Sequence, residues 1–221
     1  MIEEMKINWD IIFPYDESQN STIEELRKLR GKIFYEDGLK PHFKVADNKY
    51  YDDDKFDFSC YHILARSSDF KIVGAIRVLP MAKQIGCVTS ELIGIENFNR
   101  VIMENFSCCN DLAEISRWIV APDYKNSRVS TLLVSGALAL VDCLGCIGFG
   151  NAERIEELSS LFGAVLFEKD KIYFSQKFNA NIQVFYADLN RRSHFALRQI
   201  SRMNDILRLS IVIKDKIYKG V

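Results

Sequence analysis

Little in this sequence would divide it into parts. It has no internal repeat, no low-complexity block and no Pro/Gly-rich linker, which argues against a solenoid or a string of tethered modules. No long apolar run is unbroken. The richest, near 132–149, is interrupted by Ser135, Gly136, Asp142 and Gly145, so it reads as a buried helix followed by a strand, not a membrane span. The first ten residues, MIEEMKINWD, are acidic and lack the apolar core of a secretion signal. Neither sign of charge is in excess: 29 Lys and Arg stand against 30 Asp and Glu, so no global basic field calls for nucleic acid. Six cysteines in 221 residues are too sparse for a small secreted framework, and reduced thiols in a cytoplasmic protein fit better. Cys143-Leu144-Gly145-Cys146 is a CxxC, but no second ligand pair or nearby His completes a zinc site. It reads as packing at a helix end, with redox chemistry as the lesser alternative. Cys108-Cys109 carries less still.

What is present suits one domain over 1–221, with a core at about 21–190 and a C-terminal helix and tail over 191–221. Ser21-Thr22-Ile23-Glu24 has the form of a capping box, which predicts a helix running to about Phe34. Residues 37–57 are polar and read as a loop. Cys60–Arg66 and Lys71–Leu79 flank Ser67-Ser68-Asp69 and predict a β-hairpin, ended by Pro80. A short helix is expected around 98–105. A strand follows over Leu112–Val120, then a buried helix over Ser127–Leu144 and a strand over Ile147–Asn151. Ala152–Phe162 is an amphipathic helix stopped by Gly163. Strands are expected at 165–167, 172–178 and 184–189, and a basic helix at 193–209. The order predicts an α/β (α+β) fold: a mixed, mostly antiparallel sheet with helices on both faces. Residues 112–151 should form a parallel strand–helix–strand unit with a right-handed crossover.

Several charges fall where the pattern calls for apolar residues. On a helical wheel Ile23, Leu26, Ile33 and Phe34 make one stripe, and Arg30 lies in its middle. Arg77 shares a face with Val73, Ala75 and Leu79 in a strand that reads as covered on both sides. Glu114 and Arg117 sit inside the apolar strand AEISRWIVA. Each buried cation needs an acidic partner or an anionic ligand. Glu114 and the Asp52, Asp54 and Asp57 cluster are the partners at hand. Two readings remain open: a purely structural ion-pair network, or one that also lines a site. In a regular strand Glu114 and Arg117 point to opposite faces, and a β-bulge between them would bring both to one side. Asp52, Asp54 and Asp57 also suggest calcium, but the glycine and glutamate of an EF-hand are missing.

The residues and their order resemble the acyl-homoserine-lactone (autoinducer) synthase family, a branch of the GNAT N-acetyltransferase fold. The family pattern starts with Arg and Phe four apart on the first helix, here Arg30 and Phe34 in LRGKIF. It continues with an acidic D-x-x-D, here Asp54 and Asp57, with Asp52 at the acidic position before it. A GxxRLLP strand is matched by GAIRVLP with Arg77, and E-x-S-R-F/W by Glu114, Ser116, Arg117 and Trp118. The match spans roughly residues 23–150. The tryptophan that the family carries near FYEDGLK is absent, as is an obvious aromatic downstream of the RLLP-like segment.

The resemblance implies transfer of a fatty acyl group from an acyl-carrier-protein or CoA thioester to the amine of S-adenosylmethionine, with no tightly bound cofactor. It makes Glu114, Arg117 and Asp52 the catalytic candidates, with Glu114 as general base, directly or through a water. Arg30, Phe34, Asp54, Asp57, Arg77, Ser116 and Trp118 would bind substrate. The stretch Lys125-Asn126-Ser127-Arg128-Val129-Ser130 stands where acyltransferases of this fold hold a donor phosphate. Both glycines of that loop are replaced, by Arg128 and Ser130, so Lys125, Arg128 and Ser130 are the phosphate candidates. The acyl chain is expected between the strands at 113–120 and 147–151, with Trp118, Leu133, Leu140 and Phe149 as possible lining. The basic C-terminal helix (Arg191, Arg192, Arg198, Arg202, Arg208) is a candidate dock for an acidic carrier protein. The related long-chain N-acyl amino acid synthases, which use a free amino acid, and a non-catalytic binder of the same fold are the alternatives.

Overall fold

The structure is a computed structural model that describes residues 6–37, 40–81, 86–106, 111–153 and 155–209. Its strands are β1 (Asn8–Ile12), β2 (Lys44–Ala46), β3 (Lys49–Tyr50), β4 (Tyr61–Arg66), β5 (Ile72–Pro80), β6 (Leu112–Val120), β7 (Ile147–Ala152), β8 (Ala164–Leu166), β9 (Tyr173–Ser175) and β10 (Ala180–Ala187). Its helices are α1 (Asn20–Glu36), α2 (Val88–Ile93), α3 (Ile95–Asn105), α4 (Val129–Leu144), α5 (Glu156–Phe162) and α6 (His194–Leu207). The main sheet runs β1-β4-β5-β6-β7-β10-β8, with β9 added on β10. Every pair is antiparallel except β6–β7, which is parallel with α4 as its crossover. The mixed, mostly antiparallel sheet and the parallel unit are as the sequence predicts.

Two helical layers cover the sheet. Alternation along the strands decides which residue meets which layer. Ile63, Ile76, Val78 and Ala113 face α4 and α6 and form the largest core. Leu64, Ala75 and Ile119 face α1 with Ile23, Leu26 and Ile33. A third cluster, around Leu79, Leu112 and Phe149, packs under α2 and α3. The glycine Gly145 ends α4 at φ +68°, where an L-side chain would be strained.

The structure corrects several details. Helix α1 has no capping box: it starts at Asn20 after a 3-10 turn that Asp16 caps. Gln19 stands at the N-cap of α1 and makes no side-chain cap bond. Loop 37–57 contains the small β2–β3 hairpin. The helix expected around 98–105 is α3, which starts earlier, at Ile95, and a second helix, α2, precedes it across Gly94 at φ +85°. β1 carries no strong alternation and was not expected. It pairs β4 at the sheet edge with a burial pattern that is only partly inward. α5 starts at Glu156, β9 is short, and β10 starts at Ala180.

Among the basic residues of the C-terminal region, only Arg198 and Arg202 lie on α6. Arg192 precedes it, buried against Asp142 at 2.7 Å, so the basic face is smaller than the sequence suggests. The tail after 209 and the Cys108-Cys109 pair lie outside the described residues. Cys143 lies in the last turn of α4 and Cys146 just beyond its end.

One buried group links the fold to pH. His62 on β4 is fully enclosed, and its Nε2 lies 2.8 Å from the Asp57 carbonyl oxygen. Burial lowers its pKa from 6.5 to about 4, outweighing the pull of the Asp57 charge. The folded protein therefore keeps His62 neutral where the unfolded chain takes up a proton. Stability is full above pH 6.5 and falls as pH drops from 6.5 toward 4. At pH 5 the loss should be about 2 kcal/mol. Urea unfolding at pH 7.5 and 5 checks this, and His62→Gln should flatten the dependence in that window.

Candidate active site

The site begins with a close approach. A Cβ on Gly31 would lie 2.3 Å from the backbone nitrogen of Tyr51. Only glycine lets the acidic loop lie flat on α1. The contact is fixed by a backbone bond, Asp52 N–H to Arg27 O at 3.1 Å. From there Asp52, Asp54 and Asp57 reach under α1 toward the sheet.

Four arginines meet them. Arg30 donates to both oxygens of Asp57, at 2.8 and 2.6 Å, and its Nε lies 3.0 Å from Asp52. Arg77 reaches Asp57 at 2.9 Å and Asp54 at 3.1 Å. Arg117 reaches Asp52 at 2.8 Å and Asp54 at 2.5 Å. Arg27 donates to Asp57 at 2.8 Å and to the Asp54 carbonyl at 2.8 Å. Burial alone would raise the Asp54 carboxyl, but the charges of Arg77 and Arg117 hold it far below its ordinary value. The same holds for Asp57, where Arg30 is the main counterweight to burial. All three carboxylates face guanidinium groups, which leaves the calcium alternative without free ligands.

The bulge is present. Arg77 pairs with Ser116 and Ala75 with Ile119, so two residues of β6, Arg117 and Trp118, oppose one of β5. Arg117 takes φ +54°, an unusual backbone for a residue with a side chain. Leu79 pairs with Glu114, so Glu114 shares a face with Arg77, and the bulge turns Arg117 to that face too. The Phe178 ring lies 5.3 Å from the Arg117 guanidinium carbon.

Glu114 is completely buried. Its Oε2 accepts from the Thr89 backbone N–H at 2.6 Å, in the first turn of α2. Oε1 has no hydrogen-bond donor among the described residues. The Cys87 thiol stands nearby, pushed well up by burial and by the Glu114 charge. Asn151 donates to Thr89 Oγ1 at 3.0 Å.

β6 and β7 pair only from Leu112↔Ile147 to Glu114↔Phe149. Beyond that they splay, and a cavity of about 420 Å³ opens between them. One side of it is apolar, with Val134, Leu138, Leu158, Phe162, Phe185 and Ala187. Phe34, Asp37, Ser116, Arg117 and Phe178 also line it, and bring the charged cluster to its wall. Glu114 is not on the wall but behind it, beside the lining residues Ser116 and Asn151. A smaller cavity of about 180 Å³ shares Phe34, Asp37 and Trp118 and is lined by Lys125 and Ser130. Arg128 is exposed at the start of α4.

The structure thus gathers Arg30, Asp52, Asp54, Asp57, Arg77 and Arg117 into one network and sets Phe34, Ser116 and Trp118 on the cavity. Lys125 and Ser130 lie at the second cavity, and Arg128 lines neither. Of the residues expected along the acyl chain, Leu133, Leu140 and Phe149 are instead fully buried core. Val134, one position after Leu133, and Leu138, two before Leu140, face the cavity. Arg27 was missed, although it stands four residues after Ile23 on the same apolar stripe. Thr89, Lys177 and Phe178 left no signal, because only the fold brings them here.

The splayed parallel pair, the bulged β6 and the helix α4 crossing behind them define the fold of the GNAT acetyltransferases. A family profile described as an acetyltransferase (GNAT) domain matches residues 29–135, just under half of the chain. Solved structures with the same fold include acyl-homoserine lactone synthases. BjaI, a CoA-dependent acyl-homoserine lactone synthase solved with SAM and isopentyl-CoA, is 18% identical with a TM-score of 0.65, covering 90% of this chain and 89% of that one. MesI, also CoA-dependent, is 21% identical with a TM-score of 0.62 (89% and 94% covered). LasI is 17% identical with a TM-score of 0.56 (83% and 90% covered). No curated protein matches the sequence. At these identities the likeness is one of fold.

Proposed function

We propose that this chain is an N-acyltransferase that moves a fatty acyl group from an acyl-carrier-protein or CoA thioester to the amine of S-adenosylmethionine, giving an acyl-homoserine lactone. The observation that carries the reading is the cavity between β6 and β7, apolar on one side and bounded on the other by Arg117 and Ser116 above a buried ionic network. A fatty chain suits the first and a charged amino-acid group the second. Neighbours of the same fold were solved with SAM and isopentyl-CoA and with MTA, which supports the same substrate pair.

In this reading the amine attacks the thioester carbonyl, the C–S bond breaks, and the thiol leaves with a proton. Glu114 takes the amine proton through a water that bridges its bare Oε1 to the cavity. The bulge at Arg117–Trp118 offers backbone N–H groups to the developing oxyanion. Arg30, Asp52, Asp54, Asp57 and Arg77 hold Arg117 and the cavity wall in place. Phe34 and Trp118 bound the substrate. The substrate's own carboxylate then displaces methylthioadenosine and closes the lactone. Lys125 and Ser130, with Arg128 at the mouth of α4, receive the donor phosphate.

The ion pairs themselves argue for a site. A buried network is weak support for stability, because desolvation offsets most of its Coulomb energy. Four arginines on three carboxylates, next to a cavity, are better explained by the chemistry they hold in place.

A turnover assay tests the reading. Wild-type protein is given acyl-carrier-protein and CoA thioesters of several chain lengths, with S-adenosylmethionine or free amino acids. Acyl-homoserine lactone with equal release of methylthioadenosine is the expected result. An acylated amino acid without methylthioadenosine would assign the chain to the N-acyl amino acid synthases. No product with either amine would leave a non-catalytic binder.

A further inference from the structure

The β9–β10 hairpin lies far along the chain from the motif-bearing segment. Its turn nevertheless enters the site. Asn179 at φ +46° and the bond from Phe178 N–H to Ser175 Oγ at 3.3 Å set the turn's shape. That shape brings Phe178 to the cavity wall and sets Lys177 beside it, against Asp52. Phe178 lines the cavity, covers Arg117 at 5.3 Å, and meets Phe34 edge-on at 5.6 Å and Phe43 at 5.6 Å. Lys177 places its ammonium 3.6 Å from Asp52 Oδ1 and 5.8 Å from the Phe43 ring.

The two kinds of cation in the cluster are used differently. Arg30, Arg77 and Arg117 each grip two carboxylates at 3.1 Å or less. Among the described residues Lys177 has one long ion pair, to a carboxylate that Arg30 and Arg117 already hold. Its side chain is 24% exposed, where those of Arg30 and Arg77 are fully enclosed. An ammonium carries three donors on a flexible stem and can turn to a new acceptor without breaking the network. Burial and the neighbouring Arg117 charge make its positive state uncomfortable and lower its pKa. An arriving anion compensates both by pairing with the ammonium.

We propose that the β9–β10 turn reads the amine substrate, with Phe178 as a wall of the cavity's charged side and Lys177 as the cation that takes up the substrate's carboxylate. This rests on the acyltransferase reading above and adds the element that selects the acceptor. It also gives the site an aromatic wall from the opposite end of the chain, in a protein whose first helix is not followed by a tryptophan.

Two measurements test it. The first is binding calorimetry of wild-type, Lys177→Gln and Lys177→Arg proteins with S-adenosylmethionine and with its decarboxylated analogue. Wild type should bind the carboxylate form about 10-fold more tightly than the analogue. Lys177→Gln should lose that preference and Lys177→Arg should keep most of it. The second is steady-state kinetics. Lys177→Gln and Phe178→Ala should raise KM for the amine about 10-fold and leave KM for the acyl thioester within about 2-fold. Unchanged preference in Lys177→Gln, or an effect that falls on the thioester KM, would overturn the proposal. Calorimetry needs no turnover. Wild-type binding that discriminates the carboxylate, without lactone formation, would sink the proposed activity and leave the turn's role standing.

Discussion

Glu114→Gln should lower kcat by about 10²- to 10⁴-fold, the usual worth of a positioned general base. The substitution is close to isosteric. The amide oxygen can still accept the Thr89 backbone N–H that Oε2 accepts at 2.6 Å, so the fold should survive. What it removes is a proton acceptor held in a fully buried position with one bare oxygen. Keeping such a group is costly unless it is used. The variant should therefore melt within a few degrees of wild type, bind both substrates, and lose turnover. Thermal melts, binding calorimetry and stopped-assay rates measure this. A rate within about 3-fold of wild type would remove Glu114 as base and turn attention to other groups at the wall.

Asp57→Asn should destabilise the protein by about 3–5 kcal/mol, the cost of leaving buried charges unpaired. Asp57 is the centre of the network: Arg27, Arg30 and Arg77 all donate to it between 2.6 and 2.9 Å. The amide keeps one acceptor but no charge, so three guanidinium groups lose their shared counter-ion in a dry site. Asp53, one step away from Asp54, is the control. Its side chain is 83% exposed and lies 3.7 Å from Arg27, and Asp53→Asn should change stability by less than about 0.5 kcal/mol. Urea denaturation of both variants at neutral pH measures the contrast. Equal midpoints would mean that the network contributes little to the fold.

The two variants separate the two readings that the sequence left open. A purely structural network predicts a large effect at Asp57 and none on chemistry at Glu114. A site predicts both.

Much of this site was legible before the fold. Arg30 betrayed itself as a cation on an apolar stripe, and Arg77 as a cation on a covered strand. Arg27 could have been found by the same wheel, since it follows Ile23 by one turn. Glu114 and Arg117 together required a bulge, because a period of two puts residues three apart on opposite faces. The register shift opposite Ala75 and Arg77 supplies it. Boundaries were less legible: α2 was not expected, although its first turn bonds Glu114, and β1 was missed because an edge strand has no full alternation to announce it.

The cavity lining divides along the same line. Leu133 and Leu140 had the right composition, but helix rotation turned Val134 and Leu138 to the cavity instead. No pattern in the sequence pointed Lys177 and Phe178 at a cluster so far back along the chain. What the sequence determined by itself was local: periodicities of two and 3.6, the glycine stops, and charges set where only a partner could tolerate them. What the tertiary structure alone decided was which distant groups meet. Where β6 and β7 stop pairing, how α4 is rotated, and which turn arrives beside Arg117 follow from packing three layers at once, and packing is a property of the whole chain.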